Sequence, residues 1–402
     1  MISITRAPGA ARPAGRDGSA TVLRAAGVAV EYAGARPVRA VRDVSLELAA
    51  GEVLGIAGES GCGKSTLAYA LTGMLRPPAR LSAGTIEYAR PDGTMLDLSA
   101  ATAQEMKALR WNTVSMVFQS AMNALNPVTA IGRQFNDIYR THRPDMGKSE
   151  RQQRTAALLE MVGIDPGRAN AFPHELSGGM RQRVVIAMAL ALEPRIVVMD
   201  EPTTALDVLV QREILDEIER LREELGFAVI FITHDLGLLL EISDRLAVMY
   251  AGRIVEYAPA EQLADSARHP YTQGLLRSFP DLRGERRVLR GIPGSPPDLR
   301  AGIAGCAFAD RCEHVFEPCH SIRPRLVPHP PAAWPVACHL DDPDYADHAD
   351  RAGRDQAEID ELDEREGVDE LDKHEGLGEP GEREEPGERD RTAAVRAEGD
   401  AT

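Results

Sequence analysis

Cysteine is nearly missing from this chain: Cys62 stands alone, and the other four of five, Cys306, Cys312, Cys319 and Cys338, fall within 33 residues of one another. Long apolar runs are missing too. The longest, VVIAMALALEPRIVVM, is broken by Glu193, Pro194 and Arg195, whereas a bilayer span needs about 20 apolar residues, so nothing reads as a membrane helix. The opening, MISITRAPGAARPAGRDGSA, lacks the apolar core of a secretory signal. These absences point to the cytoplasm, where structural disulfides are rare.

An excess of basic charge is also lacking. The formal net charge is -16, and residues 341 to 402, with 24 acidic and 8 basic side chains, account for all of it. The other 340 residues balance 38 acids against 38 bases, which disfavours nucleic-acid binding. Lysine is scarce, occurring only at 64, 107, 148 and 373.

At 402 residues the chain is long enough for more than one folded unit. Residues 1–20, rich in Ala, Arg, Gly and Pro, read as a flexible arm. From 21 to 265, apolar runs such as EVLGIAG, NTVSMVFQ, RIVVMDEP and FAVIFITHD alternate with helical patterns such as SERQQRTAALLEMVG. Strands apolar throughout and separated by helices predict an α/β domain with a parallel sheet covered on both faces. Residues 266–340 turn proline-rich and lose periodicity where the cysteines gather, and read as a small loop-rich segment. Residues 341–402, in which EPGER occurs twice, read as a disordered acidic tail.

Three motifs in the α/β region carry chemistry. The stretch GESGCGKST follows an apolar strand and opens a helix, the context of a phosphate loop. Its candidates for nucleotide contact are Gly58, Ser60, Gly61, Gly63, Lys64, Ser65 and Thr66. Glycines let backbone amides wrap the phosphates, Lys64 adds charge, and the Ser65 hydroxyl suits Mg²⁺. RIVVMDEP delivers Asp200 to a strand end, where it can hold Mg²⁺ through water, and Glu201 to orient the attacking water. LSGGMRQR places Ser177, Gly178 and Gly179 at a helix start, a second anion cradle that one nucleotide does not need.

The order of these motifs resembles the ATP-binding subunits of ABC transporters, over about residues 21–265. That family has a P-loop domain with an N-terminal antiparallel β-subdomain and a helical signature subdomain, here about 120–185. In it the LSGG cradle completes the ATP site of the opposite subunit, which gives the surplus cradle a purpose. The resemblance implies that Tyr32 stacks on adenine and that Gln119 touches Mg²⁺ and the attacking water. It further implies that Asp207 lies against the partner subunit and that His234 contacts the γ-phosphate. Catalysis is thus expected from Glu201, His234 and Gln119, and Mg²⁺ binding from Ser65, Gln119 and Asp200.

FQSAMNALNPV, SGGMRQR, DEPTTALDVLVQ, VMYAGRIVEYA and HPYTQGLL carry a finer resemblance to the dipeptide and oligopeptide permease branch of importers. It implies two transmembrane permease subunits, a second ATPase (usually a different chain), an extracytoplasmic solute-binding protein, and a position on the inner face of the membrane. The alternative is a soluble relative serving DNA repair, chromosome organisation or translation. Against it, only 113 positions separate Lys64 from Ser177, without sustained heptads, and there is a single cassette.

Four thiolates fit one zinc ion or one iron-sulfur cluster, and the spacing does not choose between them. His314, His320 and His339 lie among the cysteines as substitute ligands. Some members of the permease branch carry a four-iron, four-sulfur cluster in this segment, so the resemblance makes that the expectation, with zinc, free buried thiols and disulfides as alternatives. Cys62 reads as a small packing residue within the phosphate loop.

Overall fold

The computed structural model describes residues 20–90, 92–119, 124–204, 206–278, 291–328, 334–345 and 347. The expected flexible arm, save Ala20, and the acidic tail, save residues 341–345 and 347, lie outside them.

The strands are β1 (Thr21–Tyr32), β2 (Val38–Ala49), β3 (Val53–Ala57), β4 (Ala79–Ala89), β5 (Met95–Asp97) and β6 (Val114–Val117). They continue as β7 (Ile196–Asp200), β8 (Ala228–Ile232), β9 (Arg245–Tyr250), β10 (Arg253–Pro259), β11 (Val327–Pro328) and β12 (Pro335–Val336). Two sheets result: an antiparallel one in the order β2-β1-β4-β5, and a mixed one in the order β11-β12-β10-β9-β3-β8-β7-β6. Parallel pairing runs through β9, β3, β8, β7 and β6, as expected for strands joined by helices.

The central strands β3, β7 and β8 are buried at every position, which explains why they read as unbroken apolar runs. Alternation still sorts their side chains to two faces. Ile230 and Ile232 join Leu54 and Ile56 in the core under the antiparallel sheet, whereas Val229 and Phe231 face the core that the remaining helices cover. Each such side chain stabilises the fold by about 1.5–3 kcal/mol relative to exposure.

The helices are α1 (Lys64–Leu71), α2 (Ala103–Asn112), α3 (Ile131–His142), α4 (Lys148–Met161) and α5 (Gly178–Ala189). They continue as α6 (Val208–Leu225), α7 (Leu236–Ile242), α8 (Ala260–Ser266), α9 (Pro270–Arg277) and α10 (Glu317–Ser321). Helices α3 and α4 pack against each other through Phe135, Ile138, Tyr139, Leu158 and Leu159, forming a helical layer ahead of the signature.

Beyond α9, the cysteine-bearing segment is built from two-residue strands and short single-turn helices. It is not detached from the α/β core. Val336 pairs with Glu256, and the Ala337 amide donates to the Val255 carbonyl at 2.8 Å, so β12 extends the mixed sheet. Phe308 packs on Tyr250 and Tyr271, with ring centroids 5.3 and 5.4 Å apart.

The expected cysteine metal site does not form among the described residues. Among the described residues no group of three or more His, Cys, Asp or Glu side chains is arranged to hold a metal ion, so neither an iron-sulfur cluster nor zinc is supported. All five cysteines are free thiols, which also removes the disulfide alternative. Burial pushes the Cys306 and Cys312 thiols up to about 11 and about 12, and raises Cys319 and Cys338 as well. The segment is held by other means. The Cys306 amide donates to the Cys319 carbonyl at 2.8 Å, and the buried His339 ring bonds the Ile322 carbonyl at 2.9 Å through Nε2. His320 is exposed.

Candidate functional site

The phosphate loop joins the end of β3 to α1, and its glycines are where close approach demands them. Gly58 and Gly63 sit at φ of 145° and 107°; a Cβ at either would come within 2.2 Å of the Met249 carbonyl or 2.3 Å of the Ala40 carbonyl. Only glycine fits both conditions. Lys64 is buried, and its ammonium donates to the Gly58 and Glu59 carbonyls at 2.6 and 2.9 Å. Cys62 is buried in the loop with Sγ 3.8 Å from that ammonium, in keeping with a packing role.

At the other side of the site, β7 ends in Asp200, which is fully buried, followed by Glu201 at φ 48°. The Ser65 hydroxyl donates to Asp200 Oδ1 at 3.1 Å, while Oδ2 is buried without a hydrogen-bond partner among the described residues. Burial raises the Asp200 pKa; the Ser65 hydrogen bond opposes this and the Glu201 charge adds to it. An unspent buried carboxylate oxygen beside a serine hydroxyl is an all-oxygen donor set of the kind Mg²⁺ takes.

Glu201 is the hub of the polar groups. Gln119 Nε2 donates to its Oε2 at 2.9 Å, Thr204 Oγ1 donates to the same oxygen at 3.0 Å, and His234 Nδ1 lies 3.5 Å from Oε1. The sequence order of these residues hides this convergence, which arises because β6, β7 and β8 end side by side.

Tyr32 ends β1, and its hydroxyl lies 3.1 Å from Thr66 Oγ1. It borders a cavity of about 330 Å³ lined by Tyr69, Met74, Leu75, Arg76, Ala79 and Phe118 as well. That mostly apolar cleft beside the loop has the character of a base-binding pocket. Ser60 and Gly61 form the outer, exposed arc of the loop.

The signature residues are not part of this assembly. Among the described residues no hydrogen bond joins Ser177, Gly178 or Gly179 to the phosphate loop. Ser177 caps α5, accepting from the Met180 amide at 3.3 Å. Gly179 instead abuts α6, where a Cβ would meet Val210 Cγ1 at 2.9 Å. Asp207 caps that same helix through the Val210 amide at 3.0 Å. The next two residues, Val208 and Leu209, are 80% and 78% exposed.

Sequence reading missed the contacts behind the loop. Glu59 accepts both ends of the Arg311 guanidinium at 2.7 and 2.9 Å, and its amide donates to the Tyr271 hydroxyl at 2.9 Å. No local pattern announces a pairing across 252 positions.

Comparison with known proteins agrees with these features. Residues 41–204 match the ABC transporter family, and residues 255–319 match the oligopeptide/dipeptide transporter C-terminal region. A protein of Brucella melitensis biotype 1 described as a peptide import ATP-binding protein is 45% identical over 306 residues, covering 73% of this chain and 89% of its own. The oligopeptide transport ATP-binding protein AmiE of Streptococcus pneumoniae is 42% identical over 301 residues, covering 74% of this chain and 83% of its own. Among solved structures, the dimeric ATP-binding cassette MJ0796 in a post-hydrolysis state with ADP and Pi superposes with a TM-score of 0.52 at 27% identity, covering 60% of this chain and 99% of that one.

Proposed function

This chain belongs to the ABC transporter ATP-binding proteins of the oligopeptide/dipeptide branch, and from that premise we propose how its residues work and what they serve. It is an ATPase of the P-loop ABC fold, and the work it powers is import of peptides through separate membrane permease subunits. The match of its C-terminal region to the oligopeptide/dipeptide transporters supports that reading over a soluble role in repair, chromosome organisation or translation.

In this reading Gly58, Ser60, Gly61, Gly63, Lys64, Ser65 and Thr66 hold the phosphates, and Tyr32 stacks on the base. Ser65, Asp200 and Gln119 would hold Mg²⁺, which when bound neutralises charge on the β- and γ-phosphates. Glu201 takes up the proton of the attacking water. Its carboxylate is aimed by Gln119 and Thr204, and His234 stands beside it where the γ-phosphate would lie. The observation that carries this assignment is the convergence of Gln119, Thr204 and His234 on Glu201.

Ser177, Gly178, Gly179 and Asp207 would serve a second ATPase subunit across the dimer. Their separation from the chain's own loop, and the exposed Val208 and Leu209 beside them, support this. Helices α3 and α4 would dock on the permease subunits at the inner membrane face, with an extracytoplasmic binding protein delivering solute. Among the described residues no helix is long and apolar enough to cross a membrane.

An affinity isolation from membranes in mild detergent, with mass spectrometry of the retained proteins, tests the assembly. Two multi-span proteins, a second ATPase and peptide-stimulated ATP turnover are expected. Recovery of only soluble, repair or ribosomal partners rejects import.

A further inference from the structure

The buried Arg311 lies in the turn Ala309–Arg311, one residue before Cys312. All five of its N–H donors have acceptors. Nε donates to the Pro293 carbonyl at 2.7 Å; Nη1 to Glu59 Oε2 at 2.7 Å and the Tyr250 hydroxyl at 3.2 Å; Nη2 to Glu59 Oε1 at 2.9 Å and the Ile292 carbonyl at 3.3 Å. A lysine, with three donors and no planar fork, cannot reproduce this set.

The recipient makes the contact informative. Glu59 is the second residue of GESGCGKST, between Gly58 and Ser60. Its side chain is held by Arg311 and its amide by the hydroxyl of the buried Tyr271, both beyond the nucleotide-binding core. Its carbonyl accepts from the Lys64 ammonium and from the Cys62 amide. The C-terminal segment therefore grips one residue of the loop at two points, and that residue in turn contacts the lysine charged with phosphate binding.

We propose that the C-terminal segment sets the geometry of the phosphate loop, and that Arg311 is a positioning residue for ATP binding. A loop of small residues loses conformational freedom when it closes on phosphate, and a loop already held loses less. Glu59 transmits that hold: with its side chain and amide fixed, the amides of residues 60–64 stay aimed inward. The guanidinium itself never meets the nucleotide in this scheme. A bond that served only to glue the segment to the core would have the core as its acceptor, whereas here two of five donors are spent on the loop.

This inference rests on the ATP reading of residues 58–66, which the wild-type titration tests separately. The full-length chain and its Arg311→Lys, Arg311→Met, Glu59→Gln and Tyr271→Phe variants are titrated with a fluorescent ATP analogue, and their ATP turnover is measured. Arg311→Lys and Arg311→Met are expected to weaken binding about tenfold, with KM rising in parallel and kcat falling less than threefold. Glu59→Gln combined with Arg311→Met should be no worse than the poorer single variant, as a shared pathway requires. Tyr271→Phe, which keeps the ring in its packing, should weaken binding about threefold. Hydrogen exchange of amides 58–64 is expected to quicken in Arg311→Lys and Tyr271→Phe.

Affinity within twofold of wild type and unchanged loop exchange in folded Arg311→Lys and Tyr271→Phe would overturn the proposal. These two variants decide the matter even if Arg311→Met fails to fold. A wild-type chain that does not bind the analogue would overturn the ATP reading itself, and the proposal with it.

Discussion

The Ser65 hydroxyl and Asp200 carboxylate meet at 3.1 Å, joining the start of α1 to the end of β7 across 135 positions of sequence. The second carboxylate oxygen stays buried without a partner among the described residues. Asp200→Asn should therefore lower Mg²⁺-dependent ATP turnover by at least about a hundredfold, since a bound metal supplies several kcal/mol to the transition state. The check is turnover against Mg²⁺ concentration, and a variant with the wild-type Mg²⁺ response rejects the assignment.

Replacement of Glu201 by Gln preserves the shape around Gln119, Thr204 and His234 but removes the proton acceptor. Turnover should drop by roughly 10²–10⁴-fold while ATP binding persists. Rapid-quench kinetics with a parallel binding assay separates the two, and normal turnover would refute the role.

Val208 and Leu209 expose large apolar side chains next to Asp207. If that surface meets a second ATPase subunit, Leu209→Glu weakens ATP-dependent association more than tenfold, because a carboxylate would be buried without a partner. Sedimentation of the Glu201→Gln background with ATP and its partner subunit reads the effect. Unaltered association removes Leu209 from the interface.

His269 is buried, and burial lowers its pKa from 6.5 to about 3; its Nδ1 caps α9 by accepting from the Tyr271 amide at 3.0 Å. Between these values the unfolded chain carries a proton that the folded chain excludes, so stability falls as pH drops through this window. The loss relative to pH 7.5 reaches about 1.4 kcal/mol at pH 5.5. His269→Asn keeps an oxygen for the cap and removes the titration, so the stability gap between wild type and variant should change by that amount in urea unfolding. A gap independent of pH contradicts the linkage.

Cys306 and Cys312, with thiols pushed up to about 11 and about 12 by burial, should react slowly with iodoacetamide at pH 8. The thiolate is the nucleophile, and unfolding in urea should accelerate alkylation at least tenfold. Fast labelling of the native protein at either position contradicts thiols held neutral by the fold.

What the sequence made legible was local. Glycines at 58 and 63, a lysine between loop and helix, and acids at the end of an apolar strand encode their conformations within a few residues, so their chemistry can be read from spacing. Of the hub at Glu201, Gln119 and His234 were named from the sequence and Thr204 was not, and the geometry depends on which strands become neighbours. The hold of Arg311 on Glu59 was not legible, because a single arginine in a stretch without helical or strand periodicity carries no signal of a distant partner. The cysteines misled for a related reason: four thiols close in sequence satisfy a count, but among the described residues no group of three or more His, Cys, Asp or Glu side chains is arranged to hold a metal ion, and Cys306 is tied to Cys319 through the backbone.

The addition of β12 to β10 bears on how these molecules behave in a crowd. Open sheet margins invite pairing between chains. Here one margin is finished by two strands of two residues each, the outermost carrying Pro328, which lacks an amide to offer a further strand. A chain cut before residue 291 would bare the β10 margin and should clump at concentrations where the full-length protein stays dispersed, so the segment that grips the phosphate loop also acts as a selvedge for the sheet.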